Sequence, residues 1–126
     1  MSMSKSSRAK SYYNSIKVGR KAWKMSQPEE CSYCLKKLPW DRLECHEMER
    51  RSHAPNRWAH VENYLLLCHE CHAGPFAAMN HKRQLAVKLL ADPENFSLEG
   101  FLAIKPRAPQ YVTMREVIEE LIELVK

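Results

Sequence analysis

Apolar residues fall into short clusters of different spacing, and the spacing divides the chain into an arm, a core and a tail. Tyr12, Tyr13, Ile16 and Ala22-Trp23 recur at helical intervals before Pro28. They predict a helix in a polar start whose first ten residues read as disordered. After a turn near Pro39, Leu43-Glu44-Cys45-His46 predicts a short strand, and residues 52–58, with Pro55 and Asn56, read as a loop. The run 61–67 is apolar enough for a second strand or a buried extended segment, with Asn63 at its start. Leu85 and Leu89, with Ala86 and Leu90, place a helix over 79–90 that Asp92-Pro93 ends. Gly74-Pro75 leaves two starts open for it, one at Cys68 with a kink and one after Pro75. A Pro-interrupted connector over 104–110 follows. Thr113 then caps a last helix with Glu116 in the capping-box position. There Val117, Ile118, Leu121, Leu124 and Val125 form an apolar stripe opposite acids, which reads as a packing face toward the domain or a partner protein.

Composition changes this picture in two ways. At 126 residues, with this much Pro and Gly punctuation, the chain has room for one domain with a small apolar core. No segment approaches the roughly 18 apolar residues of a membrane span, so the chain reads as soluble, with no membrane partner. The net charge of +5, from 20 Lys+Arg against 15 Asp+Glu, hides a gradient. Lys5, Arg8, Lys10, Lys17, Arg20, Lys21 and Lys24 stand in a segment without a single acid, whereas the last helix carries Glu116, Glu119, Glu120 and Glu123. A basic arm beside a compact core suggests contact with nucleic-acid phosphates, the bland alternative being a solvated terminus.

The strongest chemical signal is Cys31-x-x-Cys34 with Cys68-x-x-Cys71, the second pair running into His72. Two such pairs place four thiolates at the corners of a tetrahedron, the geometry of a closed structural Zn²⁺ site. Disulfides fit less well, because MSMSKSSRAK has no apolar signal segment and points to a reducing, cytoplasmic compartment. If the four cysteines gather on zinc, the excursion over 35–67 leaves the metal and returns to it. Near its return points stand Cys45-His46-Glu47, Asn63 and His72. Imidazole, carboxylate and amide oxygen suit Mg²⁺, Mn²⁺ or another divalent ion rather than a second zinc. Such an ion can stabilise charge on a scissile phosphate while a His or Glu activates water.

The order Cys31-x-x-Cys34, then Glu44-Cys45-His46-Glu47-Met48-Glu49-Arg50-Arg51-Ser52, then Glu62-Asn63-Tyr64-Leu65-Leu66-Leu67-Cys68-His69-Glu70-Cys71-His72 resembles the HNH endonucleases. The form with two zinc knuckles common in bacteriophage genomes is the most similar, over about residues 28–85. The resemblance implies a small α+β fold: a zinc-stabilised ββα-metal core (28–92) with a basic N-terminal helical arm (1–27), and a connector with a C-terminal amphipathic helix (93–126). It implies DNA as partner and no small-molecule cofactor, and a setting in a phage-infected or prophage-carrying cell beside packaging proteins such as terminase. Carried over, Asn63 orders the loop and the general base, and His72 is a cation ligand on the helix.

The chain departs from the family at its first His position, usually an Asp-His or His-His pair of metal ligand and base. If His46-Glu47 matches the pair, His46 is the ligand and Glu47 stands at the base position. If Cys45-His46 matches, His46 is the base and a thiol stands where a hard cation expects oxygen or nitrogen. Glu is a weaker base than His near neutral pH unless burial raises its pKa, which implies a slow enzyme or a fold kept without activity. Arg50, Arg51 and Arg57 are candidate phosphate contacts beside the site, with Lys17, Arg20 and Lys21 on the arm. His53, His60, His69 and His81 are unassigned, His69 on the solvent side of the second knuckle. Cys45 reads as a buried free thiol, and Trp40 and Trp58 as packing residues. A zinc deaminase would need His-x-Glu and Pro-Cys-x-x-Cys, and the chain has neither. A non-catalytic DNA-binding or assembly module, or a zinc ribbon binding protein through its acidic tail, are the competing functions.

Overall fold

In the computed structural model, residues 17–49, 60–104 and 112–126 are described. The start expected to be disordered, the expected loop over 52–58 with Trp58 and His53, the arginines Arg50, Arg51 and Arg57, and most of the Pro-rich connector fall outside them. The described chain is a small α+β fold built on a two-stranded antiparallel sheet. Helix α1 covers residues 17–25. Strand β1 (Leu43–Glu47) pairs with β2 (Tyr64–Cys68) in a register that sets Leu43 against Cys68 and Glu47 against Tyr64. Helices α2 (His69–Ala73), α3 (His81–Ala91), α4 (Leu98–Ala103) and α5 (Met114–Leu124) follow. Among the described residues no helix is long and apolar enough to cross a membrane.

Strand β2 is buried along its whole length. That is why it reads as a continuous apolar run rather than an alternating one. One edge carries β1, and on the other the Ser32 N–H donates to the Leu66 carbonyl at 2.8 Å. Ser32 belongs to a tight turn closed by the Glu30–Lys37 bridge and by Cys31 N–H to Lys36 O at 2.9 Å. Leu35 takes a left-handed conformation there, φ 65°, a position that glycine adopts without strain.

Of the two starts left open for the 79–90 helix, the one after Pro75 is adopted, since α3 begins at His81. There are two helices, because α2 stops at Gly74. A Cβ on that residue would lie 2.7 Å from the Glu70 carbonyl oxygen, so only glycine lets the chain turn away here. Asn80 then caps α3, its side-chain oxygen accepting from the Arg83 N–H at 3.0 Å. The expected capping box of α5 forms, with Glu116 N–H to Thr113 Oγ1 at 3.2 Å and Thr113 N–H to Glu116 Oε1 at 3.1 Å. Its apolar stripe divides. Val117 is buried, and Leu121 and Leu124 pack against the core, while Ile118 and Val125 are exposed. An Arg83–Glu120 pair at 3.0 Å adds to the α3–α5 contact.

The arm enters the same core. Trp23 is buried with its ring centroid 5.2 Å from that of Tyr64, and its indole N–H donates to Asp92 at 3.0 Å. Trp40, half-buried, donates to the Gln27 carbonyl at 2.9 Å and is a packing residue.

Candidate metal centre

Cys31 and Cys34 are carried by the 30–37 turn, Cys68 ends β2, and Cys71 lies one turn into α2. Their four sulfurs lie within 4.8 Å of one another, and all four cysteines are free. The four are therefore placed to hold a metal ion. The Cys34–Cys68 sulfur separation is 3.8 Å. A disulfide would need about 2.05 Å. Zn–S bonds of about 2.3 Å in a tetrahedron give an edge of about 3.8 Å, so the cluster is consistent with structural zinc. Burial raises the Cys31 thiol, but the backbone amides of Cys68, Cys34 and Tyr33 outweigh it and bring the thiol down to about 7. Cys68 and Cys71 are pushed up, by burial first and then by the neighbouring sulfurs. A divalent cation at the centre supplies the charge that lets all four ionise together. Cys45 stays apart, and burial pushes its thiol up to about 12.

Alternation along β1 turns Glu44 and His46 to one side and Cys45 and Glu47 to the other. On the first side, α2 presents His69 and His72, three residues apart and one turn along. The Glu44 carboxylate takes both imidazoles: Oε1 lies 2.6 Å from His72 Nδ1 and Oε2 lies 2.9 Å from His69 Nδ1. Those hydrogen bonds, His72's the larger, hold Glu44 below the usual carboxylate range. The rings of His46 and His72 meet edge to face with centroids 5.2 Å apart. His46 is buried, and burial holds its imidazole below the ordinary value, so the ring is neutral at physiological pH. Its Nε2 lies 2.8 Å from Gln84 Oε1. Among the described residues, however, only the cysteine set brings three or more His, Cys, Asp or Glu ligand atoms into mutual metal-binding range.

Asn63 is fully buried at the start of β2 and ties down the chain leaving β1. Its Oδ1 accepts from the Glu49 N–H at 2.7 Å, and its Nδ2 donates to the Glu49 carbonyl at 3.0 Å. Asn63→Ala removes both bonds from the Glu49 backbone. The expected cost is about 2–4 kcal/mol in urea unfolding of the metal-loaded protein.

The structure thus brings His46 and His72 together and ties Asn63 to the Glu49 backbone past the end of β1, but it does not bring Glu47 to the two histidines. Glu47 lies on the far side of β1, paired with Arg20 at 3.0 Å. Arg20 is correspondingly turned inward, its guanidinium 5.6 Å from the Tyr64 ring centroid, while Lys17 and Lys21 are exposed on α1. Comparison with family models, with curated proteins and with solved structures gives no match. Function is therefore read from this chain's own residues. Glu44 and Gln84 are the two members of the site that the sequence reading missed. Counting by two from His46 finds Glu44; Gln84 lies in a separate helix and no local pattern points to it.

Proposed function

We propose that this protein is a metal-dependent DNA endonuclease of the HNH type, nicking or cleaving phosphodiester bonds. The observation that carries the reading is the meeting of a β-strand Glu44 and His46 with a helix-borne His72, beside Asn63 and a thiolate cluster suited to structural zinc. Oxygen and imidazole donors match Mg²⁺ or Mn²⁺ in chemistry, and Glu44, His46 and His72 are the residues that would hold such an ion. When bound, the ion supplies Lewis-acid stabilisation of charge on the scissile phosphate. Glu44 brings the negative charge, and neutral His46, where Glu44 and His72 hold the ion without it, has one lone-pair ring nitrogen able to accept a proton from water. Asn63 keeps the strand end that carries them in place, and the exposed Lys17 and Lys21 supply phosphate contacts along α1.

Conversion of supercoiled to open-circular plasmid with Mg²⁺, Mn²⁺ or Ni²⁺ tests the proposal. His46→Ala and His72→Ala are each expected to lower the rate by at least about 100-fold. Glu47→Ala, which removes the Arg20–Glu47 pair on the other face, is expected to lower stability rather than turnover. No nicking by wild type under any of the three metals overturns the reading, as does nicking undiminished in both histidine variants.

A second reading has one observation in its favour. Both oxygens of Glu44 are engaged by imidazoles, and the only convergent ligand set among the described residues is the four cysteines. The protein would then be a zinc-stabilised DNA-binding or assembly module without catalysis, recognised by salt-dependent DNA binding with no turnover.

A further inference from the structure

Gln84, in the first turn of α3, is buried and held at both ends of its amide. Its Nε2 donates to the Met79 carbonyl at 2.8 Å, and its Oε1 faces His46 Nε2 at 2.8 Å. Turning the amide over would set its oxygen against the Met79 oxygen, two acceptors with no proton between them. The orientation of Gln84 is therefore fixed by a backbone group outside the site. Its oxygen can only accept, so the proton in the contact with His46 belongs to the imidazole. A neutral imidazole carries one N–H, and the other nitrogen keeps its lone pair. The ring is also gripped from the side: Phe76 meets it edge to face with centroids 5.3 Å apart, and His72 does so at 5.2 Å.

We infer that Gln84 is a positioning residue that locks His46 in its Nε2–H tautomer, so that Nδ1 is the nitrogen that works. The task given to Nδ1 rests on the nuclease reading; the tautomer does not. If His46 is the base, the proton from the attacking water goes to Nδ1, the hydroxide so formed uses its electron pair to bond phosphorus as the P–O bond to the leaving sugar oxygen breaks, that oxygen departs with the pair and takes a proton from solvent water, and the imidazolium goes on donating through Nε2 to Gln84. If His46 holds the cation instead, the lone pair on Nδ1 is the one that binds it. Either way Gln84 need not move. The residue ties the chemistry on β1 to the Asn80-capped start of α3, a link between two elements far apart in sequence.

Long-range ¹H–¹⁵N correlation spectra of the full, zinc-loaded chain with labelled histidine decide the matter at neutral pH. Wild-type His46 is expected to show a protonated Nε2 and an unprotonated Nδ1. Gln84→Met keeps the length of the side chain and loses the acceptor, and should shift the tautomer ratio toward Nδ1–H by roughly two- to tenfold. Plasmid nicking by Gln84→Met should fall roughly 10- to 100-fold, with DNA affinity unchanged. A protonated Nδ1 in wild type overturns the inference even if Gln84→Met does not fold, and so does an unchanged ratio in a folded Gln84→Met. Undiminished nicking by a Gln84→Met protein whose tautomer has shifted overturns the role given to Nδ1. A wild type that shows the expected tautomer but never nicks overturns the nuclease reading and leaves the lock standing.

Discussion

Stripping a metal ion from Cys31, Cys34, Cys68 and Cys71 is expected to abolish the folded state, seen as loss of the cooperative thermal transition and of far-UV dichroism when a chelator is added. The reason lies in what the cysteines connect. Cys31 and Cys34 belong to the turn whose Ser32 N–H covers one edge of β2, and Cys68 and Cys71 join the end of β2 to α2. Without a cation, Cys68 and Cys71 have burial and the crowding of neighbouring sulfurs against their ionisation. Structural zinc in small domains contributes about 10–16 kcal/mol of apparent binding free energy. A domain of this size has about 5–15 kcal/mol of total stability, so the metal term is as large as the whole. Cys71→Ser should reproduce the effect without chelator, and added Zn²⁺ should restore the wild type but not the variant. Cys45→Ser is the control, since its thiol lies outside the cluster. A transition temperature that chelation leaves unmoved would remove the four cysteines from any structural role.

Spacing alone located the cysteine cluster, both strands and the cap of α5, because each of those features is encoded within a few neighbouring residues. The division of β1 into two faces was legible too, but reading His46 and Glu47 as a working pair ran against it. Neighbours in a strand point to opposite sides, and the carboxylate that joins His72 is two positions back, at Glu44. In α3 the spacing of Leu85 and Leu89, with Ala86 and Leu90, predicted a helix but not which of its side chains are enclosed. Leu85 is buried, yet Leu90 is 55% exposed, and Lys88 is completely enclosed. No helical wheel places a lysine in a core, because what pays for its burial is supplied by segments 24 and 27 residues earlier. The same holds for Gln84, whose partners are His46 on β1 and the carbonyl of Met79.

Lys88→Ala is expected to lower the unfolding free energy of the metal-loaded protein by about 3–5 kcal/mol, the scale for removing one partner of a buried ion pair. The ammonium donates to Val61 O at 2.9 Å, to Tyr64 O at 2.7 Å and to Asp92 Oδ2 at 2.7 Å, and it lies 5.2 Å from the Trp23 ring centroid. It thus joins α3, the start of β2 and the arm at one buried point. Burial lowers the Lys88 pKa, and the hydrogen bond and charge of Asp92 offset this only in part. Burial would raise Asp92, but Lys88 and then Trp23 and Asn95 more than reverse it, and its pKa is lowered. The sign for Asp92 follows. With the folded pKa below the unfolded value of about 3.9, the stabilisation is present above that pH and is lost as pH falls through the folded value. Thiolates also protonate and release metal in acid, so the informative quantity is a difference between variants at one pH. Asp92→Asn should lose less stability than wild type between pH 7 and pH 3, because it has no carboxylate to protonate. Lys88→Met separates charge from packing. It keeps most of the apolar stem but takes the ammonium donor from two carbonyls, of which Val61 O still accepts from the Tyr64 N–H, and leaves a buried carboxylate without its countercharge. Asp92 retains Trp23, Gln27 and Asn95 as donors, which softens that loss. Urea unfolding at neutral pH should therefore rank wild type above Lys88→Met and Lys88→Met above Lys88→Ala. A Lys88→Met protein as stable as wild type would mean that the ammonium's hydrogen bonds and charge only offset its desolvation.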